Sequence, residues 1–241
     1  MDAFGDFWTY VTTSDSWWGP NGIANLTWAH VRLAFWSTFA AAVLALPPAI
    51  VLGHLHRGGL VAVSLVNLGR AIPSFGVIAL VLPFSIEWGF GLGYWPTFVA
   101  LVLLGVPPIF TNTYTGVRGV DPGIVESARG MGMTSREVVL GVEVPSAMPL
   151  IITGVRISAV QIVATATLGA LVGFQCLGTL VVQGIAQFDD GKLVTGAVLV
   201  ALLAILVEVA LGLVQRRVTP WASRASGARR SARVGVADAG V

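Results

Sequence analysis

Charged residues are scarce in this sequence. Only 11% of the 241 residues are Asp, Glu, Lys or Arg, whereas 55% are hydrophobic, and the mean hydropathy is +0.82. Soluble domains usually carry about 25% charged residues, so this chain could not cover a water-exposed surface with polar groups. The composition excludes a soluble enzyme, a secreted disulfide scaffold and a disordered chain, and it indicates a membrane protein.

Cysteines and catalytic motifs are also scarce. Cys176 is the only cysteine, which excludes an internal disulfide. The sequence contains no GxxxxGK(S/T) phosphate-binding loop and no GxSxG or HExxH motif. His54 and His56 lie close together, but no further ligand lies near them in the sequence, so we interpret them as polar residues of a short cytoplasmic turn. We therefore expect no enzyme active site, no metal site and no cofactor bound by this chain.

Long apolar stretches predict the fold class. A helix needs about 20 largely apolar residues to cross the hydrocarbon core of a bilayer. Five stretches meet this length, namely 33–55, 60–84, 96–116, 148–173 and 193–214. A sixth run, 176–185, is too short to cross and is expected to lie at the membrane surface or to dip into it. The sequence therefore predicts an all-α, polytopic membrane protein with about five transmembrane helices.

Basic residues predict the orientation. Ten of the 14 Lys and Arg residues lie on one side of these spans, at positions 57, 118, 129, 136, 216, 217, 224, 229, 230 and 233. Basic residues accumulate on the cytoplasmic side of membrane proteins, and Trp favours the interfaces. Seven of the eight tryptophans lie in or near the opposite segments, at positions 8, 17, 18, 28, 36, 88 and 95. We therefore predict that the N-terminus lies outside and the C-terminus inside.

This orientation divides the chain into three parts. Residues 1–32 are predicted to form an extracytoplasmic segment, 33–214 a transmembrane domain, and 215–241 a cytoplasmic Arg-rich tail. The tail serves as a topology signal and as a contact for the anionic lipid of the bilayer. We do not expect nucleic acid as a partner, because that role would need a clustered basic face on a soluble domain.

The longest cytoplasmic connection, residues 120–146, is punctuated like two short helices. Asp121 can cap the first helix, with Pro122 at its first position, and two glycines, Gly130 and Gly132, then end it. Such short helices are not stable alone in water. Their partner is either the inner ends of the chain's own spans or a groove on a separate soluble subunit.

The second short helix begins with a capping-box sequence. Thr134 and Glu137 stand three residues apart, so that each side chain can bind the other residue's free backbone amide. We expect Pro145 to end this helix, because the residue before a proline avoids helical geometry. Ser146 would then cap the fourth span.

Three charges fall within the predicted spans: Arg70, Arg156 and Glu208. All three are expected roughly 10–15 Å from the cytoplasmic surface, at the 1.5 Å helical rise per residue. Charges at membrane depth are costly, so they are paired or functional. An ion pair between Glu208 and one arginine is the favoured interpretation, and a role in a solute pathway is the alternative.

One face of the fourth span carries small or polar residues at intervals of three or four. These are Gly154, Ser158, Gln161, Thr165, Gly169 and Gly173. Such a face lets helices approach closely, or it lines a solute path. We favour helix packing, at an interface between two transmembrane subunits.

The 120–146 connection also carries a family motif. Glu126-Ser127-Ala128, three residues, Gly132, nine residues and Val142-Glu143-Val144-Pro145 closely resembles the EAA loop of ABC importer permeases. Ser127 stands where the family usually has alanine, and Val142 and Val144 where it has isoleucine and leucine. The similarity extends over about residues 33–213 and is greatest to the osmoprotectant permeases, which import glycine betaine, choline, carnitine or proline-type solutes.

This resemblance implies a multi-pass subunit of a bacterial cytoplasmic membrane that works within a larger importer. Two ATPase subunits would hold the ATP and Mg²⁺, and an extracytoplasmic binding protein would deliver the solute. A second permease, for which a related chain is favoured over a second copy, would complete the core. Transport would follow alternating access, without covalent chemistry in this chain.

The resemblance also assigns roles to residues. Glu126, Ala128 and Gly132 would be the docking and turning positions of a coupling helix seated on the ATPase, and Pro145 would end that element. Since quaternary ammonium solutes are often held by aromatic faces, the aromatic residues within the spans are candidate solute contacts, namely Phe75, Phe110 and Tyr114.

Three other functions remain as alternatives to an osmoprotectant permease. A permease for another small solute, such as an amino acid or a sulfonate, would differ in the preference of its binding protein. A stand-alone secondary carrier would transport without any ATPase. An intramembrane enzyme would turn over substrate as a purified chain, but the sequence offers it no catalytic constellation.

Overall fold

The computed structural model describes residues 3–19, 21–56, 63–64 and 73–220, and these residues form helices and turns, with no strand in the described part. We label the α-helices α1 to α9 in chain order. They are α1 Ala3–Thr12, α2 Ile23–Leu55, α3 Ser74–Glu87, α4 Tyr94–Arg118, α5 Pro122–Gly130, α6 Ser135–Val138, α7 Val144–Thr165, α8 Leu177–Gln187 and α9 Asp190–Val218. A π-helical turn, Val139–Glu143, joins α6 to α7, and a 3₁₀ segment, Ala166–Val172, follows α7. The all-α prediction is confirmed.

Four continuous helical stretches in the described part are long and apolar enough to cross a membrane. They are Ile23–Leu55, Tyr94–Arg118, Ser135–Val172 and Asp190–Val218. The predicted second span, 60–84, falls largely on residues outside the description, and its C-terminal half forms the 14-residue helix α3. The short run at 176–185 forms α8, an apolar helix of 11 residues.

Helix α2 begins ten residues before the predicted first span. Residues 23–32, assigned from sequence to an extracytoplasmic segment, belong to this helix, and Ile23, Leu26 and Leu33 on it are fully buried. Polar side chains in this first part lower its hydropathy, yet they bond within the protein. Thr27 donates to the Ile23 carbonyl at 2.7 Å, and the His30 ring lies 2.9 Å from the Val163 carbonyl.

Helix α4 is the central element. It packs against α2 and α7, where buried alanines at every fourth position of α2, Ala41, Ala45 and Ala49, face Ile109 and Phe110 of α4. Small side chains at this spacing let two helices approach closely. The core of the described part therefore lies between α2, α4 and α7.

The N-terminal helix α1 lies against the start of α9. A Cβ at Gly191 would stand 3.0 Å from the Asp6 carbonyl oxygen, so the two backbones nearly touch. Tyr10 packs on a cluster that includes Leu177 and Leu180 of α8. Burial, and then the negative charge of Asp189, raise the pKa of the Tyr10 hydroxyl.

The prediction that Pro145 ends a helix is wrong. The chain runs from Ser135 through the π-helical turn into α7 without a break, and Ser146 does not cap a span. Proline in a helix lacks an N–H donor and crowds the preceding turn. Here that turn is widened to π geometry, with the Val144 N–H donating to the Val139 carbonyl, which makes room for the proline ring.

Candidate functional site

The first half of the 120–146 connection is capped as predicted. The Gly123 N–H donates to the Asp121 side chain at 2.7 Å, and Pro122 occupies the first turn of α5. Helix α5 ends at Gly130. Gly132 then adopts a φ of +87°, in the left-handed region that favours glycine, and the next N–H, of Met133, donates back to the Ala128 carbonyl. The turn after α5 therefore depends on glycine at position 132.

The second half of the connection contains the predicted capping box. The Thr134 N–H and hydroxyl both donate to a Glu137 carboxylate oxygen at 2.7 Å, and the Glu137 N–H donates to the Thr134 hydroxyl at 3.4 Å. These bonds satisfy backbone donors that the start of a helix leaves free. The helix that leads into α7 is thus fixed at its first residue.

The motif residues of the connection differ in exposure. Ala128 is buried, Glu126 and Ser127 are exposed, and Val142 and Pro145 are partly buried. The Ser127 hydroxyl donates to the Gly123 carbonyl of its own helix at 2.7 Å. The turn of α5 therefore directs the alanine inward and the glutamate outward.

Large apolar side chains are exposed on the same connection. Ile124, Met131 and Leu140 are 54%, 77% and 58% exposed. Ile124 and Met131 line a shallow groove together with Ser127, Ala128 and Val142. Exposed apolar side chains grouped on short helices are typical of a protein-binding surface.

A buried hydrogen-bonded pair ties the connection to the first long helix. One Glu143 carboxylate oxygen lies 2.8 Å and the other 3.0 Å from Nδ1 of His54, and Glu143 is only 1% exposed. The interpretation of His54 as a turn residue is wrong, because it lies in the last turn of α2. His56 is the residue that ends this helix, with a φ of 53°.

Sequence reasoning missed this pair because its members are 89 residues apart. The available signal was a single acidic residue, Glu143, in an otherwise apolar stretch before a span. The groove around this pair is also lined by His56, which follows α2, and by Glu126 and Arg129 of α5.

Two of the three predicted intramembrane charges form an ion pair between α7 and α9. Arg156 Nε lies 3.0 Å from a Glu208 carboxylate oxygen, and another Arg156 nitrogen donates to the Gln215 side-chain oxygen at 2.8 Å. Gln215 donates in turn to the Pro149 carbonyl and the Thr153 hydroxyl. Sequence reasoning missed Gln215 because it assigned residue 215 to the tail, whereas α9 continues to Val218. The third charge, Arg70, lies outside the described residues.

The small residues of the fourth span lie mainly against α4 of the same chain. A Cβ at Gly154 would stand 2.9 Å from the Asn112 Cβ, and one at Gly169 would stand 3.0 Å from the Thr97 side chain. Ser158 is fully buried. Gln161 and Thr165 are partly buried and Gly173 is exposed.

The predicted aromatic contacts are divided between packing and surface. Phe110 and Tyr114 stack with ring centroids 6.3 Å apart and are buried, whereas Phe75 on α3 is 47% exposed. The Arg118 guanidinium lies 5.8 Å from the Tyr114 ring centroid, and it also donates to the Tyr114 hydroxyl. The Tyr114 ring, one of the candidate solute contacts, therefore already lies beside the Arg118 cation of the same chain.

Among the described residues, no three His, Cys, Asp or Glu side chains are placed so that they could hold a metal ion together.

The chain matches a known family over most of its length. Residues 37–220 match the family described as binding-protein-dependent transport system inner membrane component. Among similar proteins, the carnitine transport permease protein OpuCB of Listeria monocytogenes is 34% identical over 82% of this chain and 88% of its own. The choline transport system permease protein OpuBB of Bacillus subtilis is 34% identical over 80% of this chain and 87% of its own. The osmoprotectant import permease protein OsmY of Salmonella typhimurium is 34% identical over 79% of this chain and 80% of its own.

Solved structures share the fold. A chain of the inward-facing MetNI methionine ABC transporter superposes with a TM-score of 0.73 at 25% identity, over 82% of this chain and 96% of that one. A chain of an amino acid ABC transporter with histidines superposes with a TM-score of 0.69 at 19% identity, over 88% of this chain and 98% of that one. At this identity the likeness shows the fold alone. The chain therefore belongs to the family of binding-protein-dependent transport system inner membrane components, the multi-pass permease subunits of ABC importers in the cytoplasmic membrane.

Proposed function

We propose that this chain is the permease of an ATP-driven importer for osmoprotectants of the glycine betaine, choline, carnitine or proline type. The observation that carries the proposal is the group of relatives named for carnitine transport, choline transport and osmoprotectant import, each 34% identical over about four-fifths of this chain. The methionine transporter also shares the fold, at 25% identity. An amino acid is therefore the second candidate solute.

The 120–146 connection is the proposed docking element for the ATPase. It combines caps that fix its two short helices with exposed apolar side chains, Ile124 and Met131, suited to a groove on a partner. Helices this short gain stability from tertiary contacts rather than from their own propensity. ATP and Mg²⁺ would be bound by two separate ATPase subunits.

The remaining partners lie in and outside the membrane. The side chains of Arg156 and Glu208 are 30% and 46% exposed on α7 and α9. Charges facing lipid at membrane depth are costly, so this face suits contact with a second permease, for which a related chain is favoured, or a water-filled path. An extracytoplasmic binding protein would deliver the solute from the other side.

The geometry supports alternating access as the mechanism. Helix α5 of the connection follows α4 after only three residues, and the connection continues directly into α7 through the π-helical turn. Closure of the ATPase pair on ATP would therefore move both helices through the backbone. This chain would supply a path and would transmit motion, while hydrolysis in the partner would reset the cycle.

The experiment is uptake of labelled glycine betaine, choline, carnitine and proline at high osmolarity. The host would lack its own osmoprotectant importers and would express this chain with its ATPase and binding protein. We expect uptake of at least one of these solutes that disappears when the ATPase is omitted. Uptake that persists without the ATPase would favour a secondary carrier. Uptake of amino acids alone would favour the second candidate solute.

A further inference from the structure

We propose that the hydrogen-bonded pair of His54 and Glu143 is the link through which the 120–146 connection moves α2 during transport. The proposal rests on the proposed function of this connection as the docking element for the ATPase. It adds a third helix to the two that the backbone already joins to the connection, and it assigns positioning roles to two residues outside the family motif's docking positions.

The pair is built into the protein rather than lying on its surface. The His54 side chain is 14% exposed and the Glu143 side chain 2% exposed, and both carboxylate oxygens lie within 3.0 Å of the same ring nitrogen. A carboxylate removed from water is stable only when it is paired or hydrogen-bonded. Within the described part of the chain, His54 is the hydrogen-bond partner of this carboxylate.

The placement of the pair gives it a mechanical role. Glu143 is the last residue of the π-helical turn between α6 and α7, and His54 stands in the last turn of α2. Helices α4 and α7 are joined to the connection by backbone, whereas α2 reaches it through side chains. If the connection moved away alone, the buried Glu143 would lose its hydrogen bonds to His54, so the pair favours movement of α2 together with the connection.

Packing at the inner end of α2 supports concerted movement. A Cβ at Gly53, the residue before His54, would lie 2.8 Å from the Val117 Cβ, so α2 already fits closely onto α4 there. Val117 in turn packs with Ala147 and Ile151 of α7. The pair of His54 and Glu143 lies on the side of this arrangement that faces the connection, in a groove also lined by His56, Glu126 and Arg129.

The test compares ATP hydrolysis with solute uptake in the assembled importer, reconstituted in liposomes with its ATPase and binding protein. The variants are His54→Ala, Glu143→Ala and the double variant. The matched control is His56→Asn, because His56 is an exposed histidine that bonds only to the His54 carbonyl among the described residues, and asparagine tolerates its left-handed backbone. Both the hydrolysis rate and the uptake rate are normalised to the amount of ATPase that co-purifies with each variant.

We expect ATP hydrolysed per solute imported to rise about tenfold in either single variant, the usual size of a coupling term. In the double variant this ratio should rise no further, because both changes break the same link. The ratio for His56→Asn should equal that of the wild type. A purely structural pair would lower hydrolysis and uptake together at an unchanged ratio, and that result would overturn the proposal.

A second readout does not depend on the solute. Leu55 is 52% exposed at the inner end of α2, so Leu55→Cys reports movement of this helix through its rate of thiol labelling with and without ATP and vanadate. The native Cys176 is buried. An ATP-dependent change in labelling that is lost with Glu143→Ala supports the link even if none of the four solutes is imported. A change that persists with Glu143→Ala overturns it, even if uptake is as proposed.

Discussion

Gly154 of α7 lies so close to Pro108 of α4 that a Cβ at position 154 would stand 2.9 Å from the Pro108 carbonyl oxygen. A backbone atom cannot move aside to make room for a new methyl group as the end of a flexible side chain can. The same Pro108 carbonyl accepts a hydrogen bond from the Asn112 side chain of its own helix at 2.8 Å, so α4 holds this carbonyl in place.

Gly154→Ala should therefore destabilise the protein, by about 1–3 kcal/mol if the helices are forced apart. The control is Gly212→Ala on α9, where the nearest heavy atom to the new methyl group is an Arg156 nitrogen at 3.7 Å. There the better helix propensity of alanine should leave stability unchanged or raise it by about 0.5–1 kcal/mol. Thermal unfolding in detergent measures both variants, and equal effects would contradict the close packing of α4 and α7.

Gly132 and Gly130 provide a matched pair for the turn of the connection. Neither would bring a new Cβ within 4 Å of a neighbour, but only Gly132 has a positive φ. Gly132→Ala should cost about 1–2 kcal/mol of local stability, the usual penalty for a left-handed non-glycine residue. Uptake and co-purification of the ATPase should fall for this variant and stay normal for Gly130→Ala. Loss of function in both variants would contradict the idea that the positive φ of Gly132 explains its importance.

The capping box gives a third prediction. Thr134→Ala removes the hydroxyl that bonds to both the carboxylate and the N–H of Glu137, which typically costs about 1 kcal/mol. Hydrogen exchange at residues 135–138 should speed up in this variant. Thr134→Ser keeps the hydroxyl and should exchange at the wild-type rate. Unchanged exchange in Thr134→Ala would mean that the helix is held by its continuation into α7 alone.

The ion pair of α7 and α9 gives a fourth prediction, and it separates pairing from a pathway role. Arg156→Met should destabilise the protein because it leaves Glu208 in the membrane without its cation. Arg156→Met combined with Glu208→Leu should be more stable than the single variant, with a coupling energy of about 0.5–3 kcal/mol.

Uptake by the same double variant then distinguishes the two roles. A pair that only stabilises the fold would give a double variant with recovered stability and recovered uptake. Groups that line the path would give recovered stability without uptake. A double variant no more stable than Arg156→Met would contradict the pairing itself.

Much of this fold follows from local sequence. The apolar runs at 96–116 and 193–214 lie within α4 and α9, and Asp121, Thr134 and Glu137 form the caps that their spacing predicts. These features succeed because each depends on residues only a few positions apart.

Non-local contacts account for what the sequence did not reveal. The polar first part of α2 is accommodated because the His30 ring bonds with the Val163 carbonyl, 133 residues away. The Glu143 carboxylate is likewise stabilised by a residue 89 positions away. The error at Pro145 has a different cause, because hydrophobic periodicity does not show one turn of π geometry.

The continuous stretch from Ser135 to Val172 has 38 residues, which at 1.5 Å per residue corresponds to about 57 Å along its path. That length is nearly twice the hydrocarbon thickness of about 30 Å. Pivoting near its middle by about 10° would displace each end by about 5 Å, close to one helical pitch of 5.4 Å. If the stretch turned as one body, a small rotation imposed at its capped end would therefore widen the path on one side of the membrane and narrow it on the other.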